Sequence, residues 1–115
     1  TAVVSCTRIR CADGEPIAVL SNLMPASMAP TREELENGGL YDLLRTQDII
    51  PTTAKQVIGA RNATTREAEQ LHERRRAALL TATRITYDQS GRVIEYGQHI
   101  YRASRYTFET SLFSS

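Results

Sequence analysis

Tyr87-Asp-Gln-Ser-Gly-Arg-Val-Ile-Glu-Tyr-Gly-Gln-His-Ile-Tyr-Arg-Ala-Ser-Arg-Tyr106 is the stretch whose reading decides the fold. Asp88 to Gly91 supplies a tight turn between two alternating strands. Over residues 93 to 101, a period of two places Val93, Glu95, Gly97, His99 and Tyr101 on one face. Ile94, Tyr96, Gln98 and Ile100 fall on the other. A solvent face carries mixed charges. A carboxylate, an imidazole and a phenol in one row beside a glycine predict a lined pocket instead.

Upstream of this hairpin lies a second one. Residues 2 to 11 are rich in β-branched side chains and predict a strand. Ala12-Asp-Gly-Glu15 is a turn, because Asp-Gly readily takes positive φ. A strand from Ile17 to Met24 follows, bracketed by Pro16 and Pro25. Residues 25 to 31 form a loop, and Thr31 with Glu34 spells a capping box that opens a short helix, which Asn37-Gly-Gly39 stops. Leu40 to Arg45 restarts a helix with Leu40, Leu43 and Leu44 inward. Residues 52 to 62 alternate as a strand, with Ala54, Gln56, Ile58 and Ala60 on one side and Lys55, Val57 and Arg61 on the other. Thr64 and Glu67 form a second capping box, for a helix reaching about Arg74. Leu79 to Tyr87 is a strand, and the last one is expected to run from 92 to about 112. Strand pairs joined by tight turns, with short helices between, predict an α+β fold: an antiparallel sheet flanked by helices.

With 115 residues, 41% of them apolar and 23% charged, one domain with a packed core is expected. A net charge of +1 argues against a nucleic-acid-binding surface on this segment, and no apolar run reaches the length of a membrane span. Cys6 and Cys11 lie five apart on one strand, roughly 16 Å at ~3.3 Å per residue, too far to bridge. They are expected as small buried residues of a reduced, cytoplasmic protein. With no Cys-x-x-Cys spacing and with His72 and His99 remote in sequence, neither a metal nor another cofactor is expected.

Three blocks carry a family resemblance. The first is Arg8-x-Arg10-x-Ala12-Asp13-Gly14-x-Pro16-Ile17-Ala18. The second is Leu40-Tyr41-x-Leu43-Leu44, then a proline and Ala54-x-Gln56-x-Ile58-x-Ala60. The third is Tyr87-Asp88-x-x-Gly91-Arg92-x-x-Glu95-Tyr96 with Tyr101-Arg102-x-x-Arg105-Tyr106-x-Phe108. In this order and spacing the chain resembles, over residues 1–115, the UTRA domain, the effector-binding half of HutC-type regulators in the GntR superfamily. The resemblance implies a chorismate-lyase-like fold, a homodimer formed through this domain, and a small-molecule effector. It also implies that DNA is bound only through a separate N-terminal winged helix. That domain, and the helix and strand that usually open the effector domain, are absent from this sequence, so the chain is expected to be truncated at its N-terminus.

The same resemblance points to ligand-binding positions. Arg8 and Arg10, two apart on a strand, can fork onto a phosphate or carboxylate, as the matching arginines do in sugar-phosphate-binding members. The bland alternative is a solvated strand face. Gly39, with Gly38, offers free N–H groups before the Leu40 helix, or simply ends the preceding one. Tyr41 matches a ligand-contacting tyrosine, or is a packed one. Glu95 and Tyr101 match ligand contacts, yet six strand residues span about 20 Å. A bend is therefore needed, and Gly97 is its expected place. His99 shares their face and is held as a secondary contact. Leu20 stands where amino-sugar-phosphate binders carry a glutamate, so a different ligand or pose is expected; Asn22, two residues on, keeps a polar handle. The run Glu73-Arg-Arg-Arg76 is read as neutralising a helix end. Arg102, Arg105 and Tyr106 are read as scaffold near a dimer contact, with Tyr106, Phe108 and Leu112 supplying its apolar surface. The competing class is an enzyme acting on a small carboxylate, because the fold is shared with a lyase. No nucleophile–base pair supports catalysis, and no catalytic residue is assigned.

Overall fold

The computed structural model describes residues 2–112. Five strands form one antiparallel sheet: β1 (Val3–Ala12), β2 (Glu15–Pro25), β3 (Pro51–Asn62), β4 (Ala78–Asp88) and β5 (Val93–Arg102). Their order across the sheet is β1-β2-β5-β4-β3, so the two hairpins β1–β2 and β4–β5 lie side by side with β3 on the far edge. Two short helices, α1 (Arg32–Asn37) and α2 (Leu40–Arg45), link β2 to β3, and α3 (Thr65–Gln70) links β3 to β4. The α+β expectation holds.

Local chemistry places these elements. The β1–β2 turn puts Asp13 at φ 52° and Gly14 at φ 78°, the left-handed pair a two-residue hairpin needs. In the β4–β5 turn the buried Asp88 carboxylate accepts from the backbone N–H groups of Ser90 and Arg92, both at 2.9 Å. Both capping boxes form: Thr31 Oγ1 accepts from Glu34 N at 3.1 Å and Glu34 Oε1 from Thr31 N at 2.8 Å, and Thr64 with Glu67 repeats the pattern.

Each face of the sheet carries its own core. Under α2, Leu44 packs with Met24, Met28, Ile49 and Ile94. Under α3, Ala68 and Leu71 pack on Val19, Leu79 and Ala63. Leu44, Leu71, Leu79 and Ile94 are fully buried, each worth about 1.5–3 kcal/mol of transfer free energy.

Several expectations are corrected. β5 ends at Arg102, not near 112, because the Arg102 guanidinium turns inward to donate to the Pro16 carbonyl at 2.9 Å and to Glu73 at 3.0 Å. The chain then turns, and Tyr106 stacks on Tyr101 with ring centroids 4.3 Å apart. α3 ends at Gln70 rather than Arg74: His72 takes φ 53° and Glu73 N closes back on the Ala68 carbonyl at 2.9 Å. The arginines of the charge run therefore lie beyond the helix end, and the Glu73 carboxylate is an anchor for Arg102 and Ser104. Cys11 is exposed and Cys6 half-buried, because both lie on an edge strand, so the expected burial of the pair is wrong. Finally, no bulge occurs at Gly97. Glu95 through Arg102 runs in unbroken register against β4, and the irregularity sits at Ile94, the extra residue between Val93 (opposite Tyr87) and Glu95 (opposite Thr86). The bulge drops Ile94 into the α2 core beside Met24, away from the face that strict alternation assigns it.

Candidate functional site

Opposed residues across an antiparallel sheet share a face, so the register fixes which side chains meet. One rung runs Arg10, Ala18, Tyr101, Leu80, Ala60; the next Arg8, Leu20, His99, Ala82, Ile58; the next Cys6, Asn22, Gly97, Arg84, Gln56. Helix α2 roofs part of this face. Between them lies a cleft of about 360 Å³. All nine residues picked out from the sequence line it: Arg8, Arg10, Leu20, Asn22, Gly39, Tyr41, Glu95, His99 and Tyr101. Sequence reasoning missed Leu40, Asp42 and Arg84, which line it too.

Glu95 is the buried centre of the site, 2% exposed. Tyr41 donates to its Oε1 at 3.0 Å, Thr86 donates to the same oxygen at 3.0 Å, and Asn22 Nδ2 donates to Oε2. Asn22 in turn accepts from Arg8 Nη2 at 3.4 Å, so the carboxylate is tied to the β1 arginine through an amide. Burial raises the Tyr41 phenol above its ordinary value, with the Glu95 charge adding to the rise and the Thr86 hydrogen bond and Arg84 opposing it.

Gly97 has a role other than bending. A Cβ there would lie 3.1 Å from His99 Nε2 and 3.4 Å from Asn22 Nδ2, so the bare backbone lets the imidazole lean back along the strand toward Glu95. Glu95 and Tyr101, at opposite ends of the row, are thus spanned by the His99 ring, whose Nδ1 lies 3.3 Å from the Tyr101 hydroxyl. Burial, reinforced by Arg84 and Arg8 and opposed by Glu95, lowers the His99 pKa and keeps the ring neutral at neutral pH.

Three nitrogens are buried without a hydrogen-bond partner among the described residues: Arg8 Nε, Arg84 Nε and His99 Nε2. All three belong to residues of this cleft, coming from β1, β4 and β5. Buried polar nitrogens left unpaired cost roughly 1–3 kcal/mol each, so three on residues of one cleft call for an explanation. Gly39 caps α2, but Asp42 Oδ2 lies 3.6 Å from where its Cβ would stand, so the six-residue helix already holds a carboxylate at that end. A larger hollow of about 620 Å³ lies against α3, yet its Arg61 is held by Glu67 in a two-pronged pair at 2.6 and 2.7 Å.

The same five-stranded antiparallel architecture is found in solved structures of transcriptional regulators. It superposes on a GntR-family regulator from Enterococcus faecalis V583 with a TM-score of 0.88 at 27% identity, covering 96% of this chain and 81% of that one. PhnF from Mycobacterium smegmatis gives 0.89 at 26% identity, over 98% and 51%. A Streptomyces coelicolor protein proposed to be a transcriptional regulator gives 0.88 at 46% identity, over 93% and 72%. Residues 1–107 match the UTRA domain, and the chain belongs to that family. It is also 36% identical over 104 residues to the HTH-type transcriptional repressor NagR of Bacillus subtilis (strain 168), covering 89% of this chain but only 43% of that curated relative. No helix among the described residues is long and apolar enough to cross a membrane.

Proposed function

We propose that this chain is the effector-sensing domain of a GntR/HutC-type transcriptional regulator, and that its cleft takes a small anionic metabolite. The observation that carries the reading is the convergence of Arg8 Nε, Arg84 Nε and His99 Nε2, buried and unpaired, on one cleft. Arg10 adds a fourth donor group at the mouth, and Glu95, Asn22 and Tyr41 present a hydrogen-bonded wall for the polar body of the ligand. Leu20 gives the floor no acceptor, which disfavours a hydroxyl donor at that spot. In this reading the ligand modulates operator binding by a separate winged helix, and the domain associates with a second copy. An enzymatic role gains no support from the site: the Glu95 carboxylate already accepts hydrogen bonds from Tyr41, Thr86 and Asn22 within the protein.

The test is calorimetric titration of the chain against a panel of sugar phosphates and small carboxylates. Arg8→Ala and Arg84→Ala each remove a charge-assisted bond worth about 1.5–3 kcal/mol, so the affinity of the best ligand should fall roughly ten- to a hundredfold. Unchanged affinity in both variants overturns the assignment.

A further inference from the structure

A second cavity adjoins the cleft on the same face of the sheet. Ile58, Leu80 and Ala82, from β3 and β4, make its floor, and Tyr106 and Phe108, from the segment after β5, fold over it; its volume is about 150 Å³. Arg84 and Tyr101 belong to the walls of both spaces. The rung Arg8-Leu20-His99-Ala82-Ile58 runs straight from one to the other. From His99 on β5 to Ile58 on β3 is two strand spacings, roughly 10 Å. Along that line the lining passes from the arginine and imidazole nitrogens to a recess in which Ile58, Leu80, Ala82 and Phe108 stand beside Gln56 and Thr81. Ile58 is 40% exposed and Phe108 47%, so the protein by itself leaves apolar surface uncovered at this end. A hollow of this size has room for a group about as large as benzene.

We infer that the effector is amphipathic, with an acidic head among Arg8, Arg84 and His99 and a short alkyl or aryl appendage lying past Tyr101 into the recess of Ile58, Leu80 and Phe108. The inference rests on the anion-binding reading of the cleft and deepens it by naming the ligand class. Arg84 and Tyr101 act as the hinge between the two halves: the guanidinium faces the head, while the Tyr101 ring, backed by Tyr106, flanks the appendage. Leu20, on the rung of Arg8 and His99, makes the cleft floor apolar along the same path.

Two homologous probe series test this by heteronuclear NMR titration: methyl, butyl and hexyl phosphate, and acetate, butyrate and hexanoate. In whichever series carries the preferred head, affinity should climb with chain length. Each fully buried methylene is worth about fourfold, and the longest probe should bind at least tenfold tighter than the shortest. Resonances of Ile58 and Leu80 should shift with the long probes and not with the short ones. Phe108→Ala and, separately, the neutral Ile58→Ser should erase the chain-length gain while the short probe keeps its affinity within twofold. A short probe that binds with no gain on lengthening in either series overturns this inference and leaves the anion site standing. Failure of every probe to bind overturns both readings.

Discussion

Replacing Gly97 by alanine separates what the cleft needs from what the sheet needs. The new methyl would stand 3.1 Å from His99 Nε2 and 3.4 Å from Asn22 Nδ2, the first well inside ordinary contact. Gly97 is a strand residue without positive φ, so its backbone accepts alanine, and the lost freedom of the unfolded chain favours the variant by about 0.4–1 kcal/mol. Turning the His99 ring off its preferred rotamer costs about 0.5–1.5 kcal/mol. The two nearly cancel, and urea denaturation should give a stability within about 1 kcal/mol of the parent. Binding should not cancel. A displaced ring changes the place of Nε2 beside the cleft, and a displaced Asn22 loosens both its bond to Glu95 and its acceptance from Arg8. One charge-assisted bond lost corresponds to roughly a tenfold weaker complex by calorimetry with the best anion of the panel. Retained affinity, within twofold, would refute the view that His99 and Asn22 are positioned for a ligand. A collapse of stability by several kcal/mol would instead make His99 a packing residue that cannot move.

Glu67→Gln isolates a charge from a cap, because glutamine can still reach back to Thr64 N. The Arg61 fork holds the Glu67 carboxyl down to about 2 from 4.5, so its stabilisation is full above pH 4.5 and is lost as pH falls toward 2. With the Arg61 side chain 45% exposed, solvent screening trims the expected loss in the variant to about 1–2 kcal/mol at pH 7. Urea midpoints of the two proteins should converge on acidification, and a gap that stays constant with pH would contradict the pairing. The association proposed for this domain predicts a dimer by sedimentation at tens of micromolar. A monomer there would remove homodimerisation from the properties of this chain. The same preparation should give no sequence-selective gel shift at physiological salt, given its net charge of +1.

Much of the site was legible because strand periodicity is local. Arg8 and Arg10 on one strand, and Glu95, His99 and Tyr101 on another, share faces by a period of two that needs no tertiary knowledge. The capping boxes at Thr31 and Thr64, and the turns at Asp13-Gly14 and Asp88–Gly91, likewise involve residues within four positions of each other. The family blocks added which of these faces was expected to hold a ligand. They could not reveal Arg84, a lone basic residue in a strand of threonines and aliphatics.

What the sequence determined by itself, then, was the alternation of each strand and the chemistry of each face, because both follow from backbone geometry over a few residues. Only the tertiary structure decided how those faces were brought into register. Counting outward from Tyr87 opposite Val93 without a bulge would set Arg84 against Tyr96, on the face away from Glu95. The extra residue Ile94 shifts β5 by one position, so Arg84 instead opposes Gly97, and Thr86 opposes Glu95 and can donate to it. That shift has a long-range cause. Ile94 is buried against Leu44 and Ile49 from the α2 region and Met24 from β2, contacts no hairpin-sized window contains. The end of β5 is likewise tied to distant residues, since the side chain of Arg102, its last residue, meets Pro16 and Glu73, 86 and 29 residues away along the chain.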